Sequence, residues 1–345
     1  MKWVIVDNDF VYNAVQEEPN RLTLIDLRSF QEYKECHIHQ SFHVSIPELN
    51  NSITNVSQLE CSQPSKLKIV YGKLVILYGA NNDIYQFMLG LIDKQNCGNF
   101  QYFVLANTFK EFRDKYPFLC VSNSKIENYP NIVAHNLFIG GGRHALNGSV
   151  LCNLRISHIL NVTRLIPNAF DGTHDLANMT ANQSVKDYFC ANPIQYLKIK
   201  ALDSDKESLR FAEMIQFIDT ALNNEKSKVL IHCQMGVSRS ATMLIAYLMH
   251  SQRWSLCDAY ERVKQCRRRI CPNYGFLTQL IDFEKQLFEG ASSVDELQKR
   301  GVRDMRKYRK YLEGTLKSKP RNEAKMIRDS MIEFVTKQDK LKQNK

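Results

Sequence analysis

The sequence has no apolar run of about 18 residues, the length an α-helix needs to cross a bilayer. Its first ten residues, MKWVIVDNDF, contain neither the basic segment nor the long apolar segment of a secretory signal. These two absences argue against a membrane span and against export. We therefore expect a soluble protein of the cytoplasm, with the nucleus as the alternative.

Cysteine pairs at metal-ligand spacing are also missing. The ten cysteines are spread along the chain, and none falls in a C-x-x-C pair. In a reducing compartment most such thiols stay reduced, buried and inert. The sequence therefore predicts no zinc site, and we expect no metal and no other cofactor.

Excess positive charge is confined to the C-terminal end. The chain carries a net +10, of which residues 291–345 contribute +8, with sixteen Lys and Arg against eight Asp and Glu. This basic tail lacks the interleaved aromatic residues of nucleic-acid binders, so we expect no nucleic-acid partner. The alternative is that the basic tail binds an acidic partner other than a nucleic acid. A capping-box pattern at 293–296 and apolar residues at helical spacing between 327 and 335 predict helices in the tail.

Apolar runs alternate with segments of helical periodicity in two blocks. In the first block, strands are predicted at 22–26, 41–46, 73–78 and 101–106, and helices at 83–92 and 108–116. In the second, strands are predicted at 137–141, 158–162, 196–201 and 228–233, and helices at 207–222, 238–250, 255–268 and 275–288. This alternation predicts an α/β fold in both blocks.

A polar stretch at 121–131 separates the two blocks. We therefore predict a first α/β domain at 1–120, a second at 125–290 and the basic helical tail at 291–345. The polar segment at 163–195 is long for a connection inside a compact domain, so we predict that it is a surface insertion.

The stretch IHCQMGVSRSAT lies between a predicted strand and a predicted helix. Its loop directs backbone N–H groups at one point beside the positive end of the helix dipole, which suits a phosphate. The same field lowers the pKa of Cys233 and holds it as the nucleophilic thiolate. The residues that follow form the expected phosphate-binding loop: Gln234, Met235, Gly236, Val237, Ser238 and Arg239.

Three residues of this stretch have side-chain or backbone properties that suit phosphate chemistry. Gly236 lets the loop turn back and lets its backbone approach a ligand closely. The guanidinium group of Arg239 can donate hydrogen bonds to two phosphate oxygens at once, which the ammonium group of lysine could not do. The hydroxyl of Ser240 can donate a hydrogen bond to the sulfur and help it leave when a thiophosphate hydrolyses.

The set His232-Cys233-x-x-Gly236-x-Ser238-Arg239-Ser240 resembles the signature of the cysteine-dependent protein tyrosine phosphatases, and its SRS ending resembles the dual-specificity branch. Segments 157–163 and 267–284 are similar to the same branch. The resemblance implies hydrolysis of phosphotyrosine and phosphoserine or phosphothreonine on a protein, a kinase among the candidates, through a cysteinyl phosphate.

The resemblance also implies a general acid on a loop upstream of the cysteine. Asp203, after a predicted strand and before a predicted helix, matches that position, and Asp205 is the alternative; both also suit a helix N-cap. Asn273 resembles a residue that braces the phosphate loop, with a turn after Pro272 as the alternative. His232 is expected to be structural and not a catalytic base.

Residues 24–47 and 103–120 resemble the opening and the closing segments of a rhodanese-like domain, which precedes a phosphatase domain in MAP kinase phosphatases. The matching residues are Asp26, Arg28, Glu32, Tyr33, His37 and Ile38. An active rhodanese carries a cysteine just after the strand here at 73–78, but this chain has Gly79. The resemblance therefore implies a non-catalytic domain.

Kinase-binding members of that group carry an arginine cluster which residues 48–73 lack. The first domain is therefore expected to be an interaction or regulatory module. The architecture is also similar to that of the serine/threonine/tyrosine-interacting-like pseudophosphatases, which lack the catalytic cysteine. A phosphoprotein-binding scaffold in kinase signalling is thus the alternative function, although Cys233 and Asp203 favour the enzyme.

Overall fold

The computed structural model describes residues 3–17, 21–46, 53, 55–63, 74–95, 101–120, 127–172, 182–290 and 292–293. The helices predicted for the basic tail lie outside these residues. So does most of the polar stretch predicted to separate the two domains, and the boundary between them stays a prediction.

Within the described residues, the first sheet has six strands in the order β1-β6-β5-β2-β3-β4. They are β1 (Val4–Val6), β2 (Leu22–Asp26), β3 (Phe42–Ser45), β4 (Glu60–Cys61), β5 (Leu74–Tyr78) and β6 (Gln101–Leu105). All neighbours are parallel except β3 and β4. The central strand β5 is buried throughout, because its continuous apolar run LVILY requires cover on both faces.

Helices cover this sheet: α1 (Asn8–Glu17), α2 (Phe30–Glu35), α3 (Asn82–Gln95) and α4 (Phe109–Lys115). Two of them begin at capping boxes. Ser29 and Glu32 exchange side-chain and backbone hydrogen bonds at the start of α2, and Thr108 and Glu111 do the same for α4. Each box satisfies backbone donors that have no partner within the helix.

The second sheet, as far as the structure describes the chain, has five strands in the order β10-β9-β11-β8-β7. They are β7 (Asn131–Ala134), β8 (Leu137–Gly141), β9 (His158–Asn161), β10 (Gln195–Lys198) and β11 (Val229–Cys233). Only β7 and β8 pair antiparallel. The buried strand β11 lies at the centre, as predicted, and its C-terminal residue is Cys233.

In the described part of the chain, the helices that accompany the second sheet are α5 (Gly142–Ala145), α6 (Gly148–Leu154), α7 (Gln183–Ala191), α8 (Phe211–Leu222), α9 (Arg239–Ser251), α10 (Leu256–Cys266) and α11 (Tyr274–Leu287). The predicted helix at 207–222 begins four residues late. The side chain of Glu207 instead accepts the backbone N–H of Leu202 at 2.9 Å, which folds residues 202–210 into a loop. This loop carries Asp203.

The prediction that 163–195 is a surface insertion was wrong for the described part of that segment. Phe170 and Phe189 are 0% and 1% exposed, and their ring centroids lie 4.5 Å apart. The N–H of Ile194 donates to the carbonyl of Phe170 at 2.8 Å. A few apolar side chains bury this segment against the core, although its composition is polar.

Helix α1, which the sequence analysis did not predict, connects the two sheets. The hydroxyl of Tyr12 donates to the carbonyl of Pro130 at 2.8 Å. The amide of Asn13 donates to the carbonyl of Ile132 at 2.7 Å and accepts its N–H at 2.9 Å. Helix α1, the first helix of the first domain, therefore lies directly against β7 of the second domain.

Candidate active site

The loop between β11 and α9 turns back at Gly236. This glycine has a φ of +70°, and a Cβ there would collide with the carbonyl oxygen of Gly140. The loop also approaches the end of β8 closely, because the N–H of Gly142 donates to the carbonyl of Gln234 at 3.0 Å. Glycine is thus required at 236 both for backbone conformation and for space.

Cys233, whose sulfur lies inside this loop, is 1% exposed. The N–H of Gly236 donates to Sγ at 3.2 Å, and the hydroxyl of Ser240 does so at 3.3 Å. Burial alone would raise the pKa of the thiol, but hydrogen bonds from Ser240 and from the backbone of Val237, with the charge of Arg239, outweigh it and lower the pKa. The site therefore favours the thiolate, the nucleophilic form.

The side chain of Arg239, the first residue of α9, is held by two backbone carbonyls. Its Nη1 donates to the carbonyls of Ala201 at 2.9 Å and Val162 at 3.3 Å. Its Nε is buried, and among the described residues it has no hydrogen-bond partner. The side chain is thus fixed by backbone carbonyls while a buried N–H remains available to an anion.

The structure brings Asp203 to the loop and directs Asp205 elsewhere. Asp203 Oδ1 accepts the hydroxyl of Ser238 at 2.7 Å and the amide of Asn273 at 3.0 Å, and its Oδ2 lies 3.9 Å from Arg239 Nε. The Asp205 carboxylate accepts the N–H of Gly275, near the start of α11, at 3.2 Å. Of the two carboxylates, only Asp203 contacts the loop through these bonds.

Asn273 and His232 both lie beside the loop in supporting positions. Asn273 caps α11 by accepting the N–H of Phe276 at 2.9 Å, and its own N–H donates to the Ser238 hydroxyl at 3.2 Å. His232 is fully buried, which lowers its pKa to about 4. A neutral, enclosed imidazole agrees with the expected structural role.

Arg267 also contacts the loop, and the sequence analysis did not assign it a role. Its side chain is 1% exposed, and it donates to the carbonyls of Gly236 at 2.7 Å and Met235 at 3.1 Å. The sequence does contain a feature that could have identified Arg267. Arg267 continues the apolar face that Leu256, Tyr260 and Val263 form on α10, where a charge is unusual.

Within the described residues, no group of three or more His, Cys, Asp or Glu side chains could hold a metal ion. In the same part of the chain, no helix is both long enough and apolar enough to span a membrane.

Two segments of the chain match the models of known protein families. The profile of the dual specificity phosphatase catalytic domain matches residues 137–286, and that of the rhodanese-like domain matches residues 8–115. The chain joins a rhodanese-like domain to a dual specificity phosphatase domain. Its relatives are dual specificity phosphatases of the MAP kinase phosphatase type, which confirms the resemblance seen in the sequence.

Three relatives illustrate the match. Human dual specificity protein phosphatase 9 is 38% identical over 46% of this chain and 37% of its own length. Dual specificity protein phosphatase Mpk3 of Drosophila melanogaster is 36% identical over 45% of this chain and 34% of its own. Human dual specificity protein phosphatase 16 is 28% identical over 77% of this chain and 41% of its own. The matches thus span less than half the length of each relative.

Among solved structures, that of the human tyrosine phosphatase-like serine/threonine/tyrosine-interacting protein is similar to this chain. The match covers 46% of this chain and 98% of the other. The two are 28% identical, with a TM-score of 0.37.

In the rhodanese-like domain, the side chain of Arg28 occupies the space that a cysteine at position 79 would need. Gly79 has a φ of +87°, and a Cβ there would collide with Cγ of Arg28. Arg28 itself is fixed, since its guanidinium pairs with Asp26 at 2.6 Å and lies 3.6 Å from the centroid of the Phe109 ring. This packing supports the prediction that the domain transfers no sulfur.

Replacing Gly79 by cysteine should destabilise the domain without creating sulfurtransferase activity. The positive φ and the collision with Arg28 are expected to lower the free energy of unfolding by about 1–3 kcal/mol, measured by urea denaturation. Gly90→Cys is the control, because a Cβ at Gly90 on α3 meets nothing within 4 Å. A Gly79→Cys variant of wild-type stability, or one that transfers sulfur from thiosulfate to cyanide, would contradict this account.

Proposed function

We propose that this protein is a cysteine-dependent protein phosphatase that hydrolyses phosphotyrosine and phosphoserine or phosphothreonine through a cysteinyl-phosphate intermediate. The observation that carries the proposal is the arrangement around Cys233. Backbone and hydroxyl donors converge on its sulfur, Arg239 holds a free N–H beside it, and Asp203 lies at the edge of the loop. The phosphatase domain and its relatives support the same chemistry.

In the first step, the Cys233 thiolate attacks phosphorus, and the bond between phosphorus and the substrate oxygen breaks. The backbone N–H groups of the loop and the Arg239 guanidinium stabilise the charge on the remaining phosphate oxygens. Asp203 in its protonated form donates a proton to the departing oxygen, which would otherwise leave as a strongly basic alkoxide or phenoxide.

In the second step, a water molecule attacks the phosphorus of the intermediate, and Asp203, now a carboxylate, accepts the proton of that water. The bond between sulfur and phosphorus breaks and inorganic phosphate is released. The Ser240 hydroxyl, which donates to Cys233 Sγ at 3.3 Å, stabilises the thiolate as it leaves. The enzyme returns to its starting protonation state.

Two measurements distinguish a phosphatase from a phosphoprotein-binding scaffold. One is turnover of p-nitrophenyl phosphate and of phosphorylated peptides, and the other is alkylation of Cys233 by iodoacetate. We expect measurable hydrolysis, its loss when iodoacetate modifies Cys233, and protection by inorganic phosphate. Protection without any turnover would instead support a phosphoprotein-binding scaffold. The absence of both would show that the loop binds no phosphate, and the proposal would fail.

Asp203→Asn should slow hydrolysis of phosphoserine peptides by about 10²-fold, because the alkoxide leaving group then receives no proton. The loss should be smaller with p-nitrophenyl phosphate, whose phenolate is a good leaving group. Steady-state kcat values for the two substrates give this comparison. Asp205→Asn is the matched control, since the amide oxygen can still accept the N–H of Gly275. A larger loss in the Asp205 variant would transfer the acid role to that residue.

We propose a phosphorylated protein kinase as the substrate, met in the cytoplasm or the nucleus. The MAP kinase phosphatase type of the relatives supports this class. The uncharged loop residues Gln234, Met235 and Val237 also favour a protein substrate over a phosphoinositide, because phosphoinositide phosphatases of this superfamily place lysines there. An acidic partner for the basic tail remains part of the proposal.

A further inference from the structure

Glu17 is the last residue of α1 in the rhodanese-like domain, yet it contacts the phosphatase domain behind the catalytic loop. Its Oε1 accepts a hydrogen bond from Arg267 Nη1 at 3.3 Å. Its Oε2 accepts the backbone N–H of Arg268 at 3.1 Å. Both oxygens of the carboxylate are therefore used, and the side chain is only 11% exposed.

The guanidinium of Arg267 uses all three nitrogens. Nη1 donates to Asn131 Oδ1 at 2.5 Å as well as to Glu17. Nε and Nη2 donate to the carbonyls of Gly236 and Met235. A single buried side chain thus connects a carboxylate of the first domain to two successive peptide groups of the phosphate-binding loop.

These two carbonyls determine where the catalytic N–H groups point. In a trans peptide, the C=O and the following N–H lie on opposite sides of the plane. When Arg267 holds the carbonyl of Met235, the N–H of Gly236 faces the other way, and it donates to Cys233 Sγ at 3.2 Å. The carbonyl of Gly236 fixes the N–H of Val237 in the same manner, and that N–H also lowers the pKa of Cys233.

A cation as enclosed as Arg267 needs a nearby anion. Desolvation and the charge of Arg269 lower its pKa to about 10, whereas Glu17 and the thiolate of Cys233 oppose this effect. Removing the partner of a buried charge leaves that charge uncompensated, which is costly. Without Glu17, the guanidinium would be expected to move toward water and to release the loop carbonyls.

We propose that the rhodanese-like domain positions the catalytic loop through Glu17. The carboxylate holds Arg267, and Arg267 holds the peptides between Met235 and Val237 with their N–H groups directed at the sulfur and at the phosphate. Glu17 is a positioning residue, and any partner that displaces α1 would loosen the loop. The effect on turnover rests on the proposed phosphatase function, whereas the state of the loop can be measured without turnover.

The test uses the full chain with Glu17→Gln and compares it with Asn13→Ala. Glutamine keeps the shape and can still accept the N–H of Arg268, but it loses the charge that pairs with Arg267. Asn13→Ala removes two hydrogen bonds between α1 and Ile132. Among the residues that the structure describes, the Asn13 side chain forms no hydrogen bond to Arg267 or to the loop. This variant therefore controls for a weaker domain contact.

Two measurements follow the loop directly: the pH dependence of Cys233 alkylation by iodoacetate, and protection by inorganic phosphate. For Glu17→Gln we expect the alkylation midpoint to move to higher pH and phosphate protection to weaken about tenfold, because the N–H groups of Gly236 and Val237 lose their alignment. A pure charge effect would have the opposite sign, since removing a carboxylate favours the thiolate. Asn13→Ala should lower the melting temperature and leave both measurements unchanged.

A Glu17→Gln midpoint that is unchanged or moves to lower pH would overturn the proposal, as would equal effects in the two variants. Glu17→Asp keeps the charge on a shorter side chain, so its effects should fall between wild type and Glu17→Gln. If the wild type has no turnover, the proposed function fails, but alkylation and phosphate protection still decide the role of Glu17. If turnover is present, kcat of Glu17→Gln should fall together with phosphate affinity.

Discussion

Replacing Cys233 by serine is expected to abolish turnover while leaving phosphate binding intact. The loss in kcat should be on the order of 10⁴-fold or more, because a serine hydroxyl does not ionise under conditions that give the thiolate. The loop N–H groups and Arg239 remain in place, since serine is smaller than cysteine and keeps a hydrogen-bonding side chain. Kinetics with p-nitrophenyl phosphate and calorimetric titration with a phosphopeptide measure the two effects separately.

Cys190→Ser provides the control for this substitution. Cys190 lies exposed on α7, so its replacement should change neither turnover nor phosphopeptide binding. Retention of wild-type kcat by Cys233→Ser would exclude a cysteinyl phosphate and leave the scaffold function. Loss of turnover together with loss of peptide binding would indicate a collapsed loop instead, and a lowered melting temperature would identify that case.

The strands and the loop around Cys233 could be predicted because the residues that determine them are contiguous in sequence. The runs LVILY and VLIHC are apolar throughout, and each forms a buried strand at the centre of its sheet. The loop after Cys233 combines a strand end, a glycine and a helix start within a few residues. Each of these signals is local, so hydrophobic pattern and backbone preference suffice to recognise them.

The different positions of Asp203 and Asp205 relative to the loop could not be predicted from the sequence. Both carboxylates follow a strand and precede a helix, and both suit an N-cap. They differ in where the loop directs their side chains. Asp203 receives hydrogen bonds from Ser238 and Asn273, and Asp205 receives one from Gly275. Sequence separation from the helix carries no information about this direction.

The contact between the two domains could not be predicted from the sequence. Glu17 and Arg267 are 250 positions apart, and no local pattern in the sequence shows that their side chains meet. Helix α1 was not predicted, because its sequence NDFVYNAVQE mixes polar and apolar residues over only ten positions. The buried pair Phe170 and Phe189 escaped prediction for a related reason, since isolated aromatic residues in a polar segment do not show which surface they cover.

Arg239→Lys is expected to lower kcat/KM by about 10²–10³-fold, the effect of removing one preorganised donor from an anionic transition state. Arg239 bonds to the carbonyls of Ala201 and Val162 through Nη1, and its Nε has no hydrogen-bond partner among the described residues. An ammonium group is a single centre, so it cannot hold both carbonyls and also place a donor beside the phosphate. Steady-state kinetics and the inhibition constant for vanadate should both show the loss.

Arg210→Lys is the matched control, because Arg210 is an exposed arginine whose contact is an ion pair with Glu213 at 2.8 Å. This variant should behave as the wild type does, since lysine can form the same pair. If Arg239→Lys kept wild-type vanadate affinity, its guanidinium would have no part in holding the phosphate. The contrast with Cys233→Ser is informative here: one variant should bind phosphate without turning it over, and the other should lose both together, which separates the nucleophile from the anion-binding group.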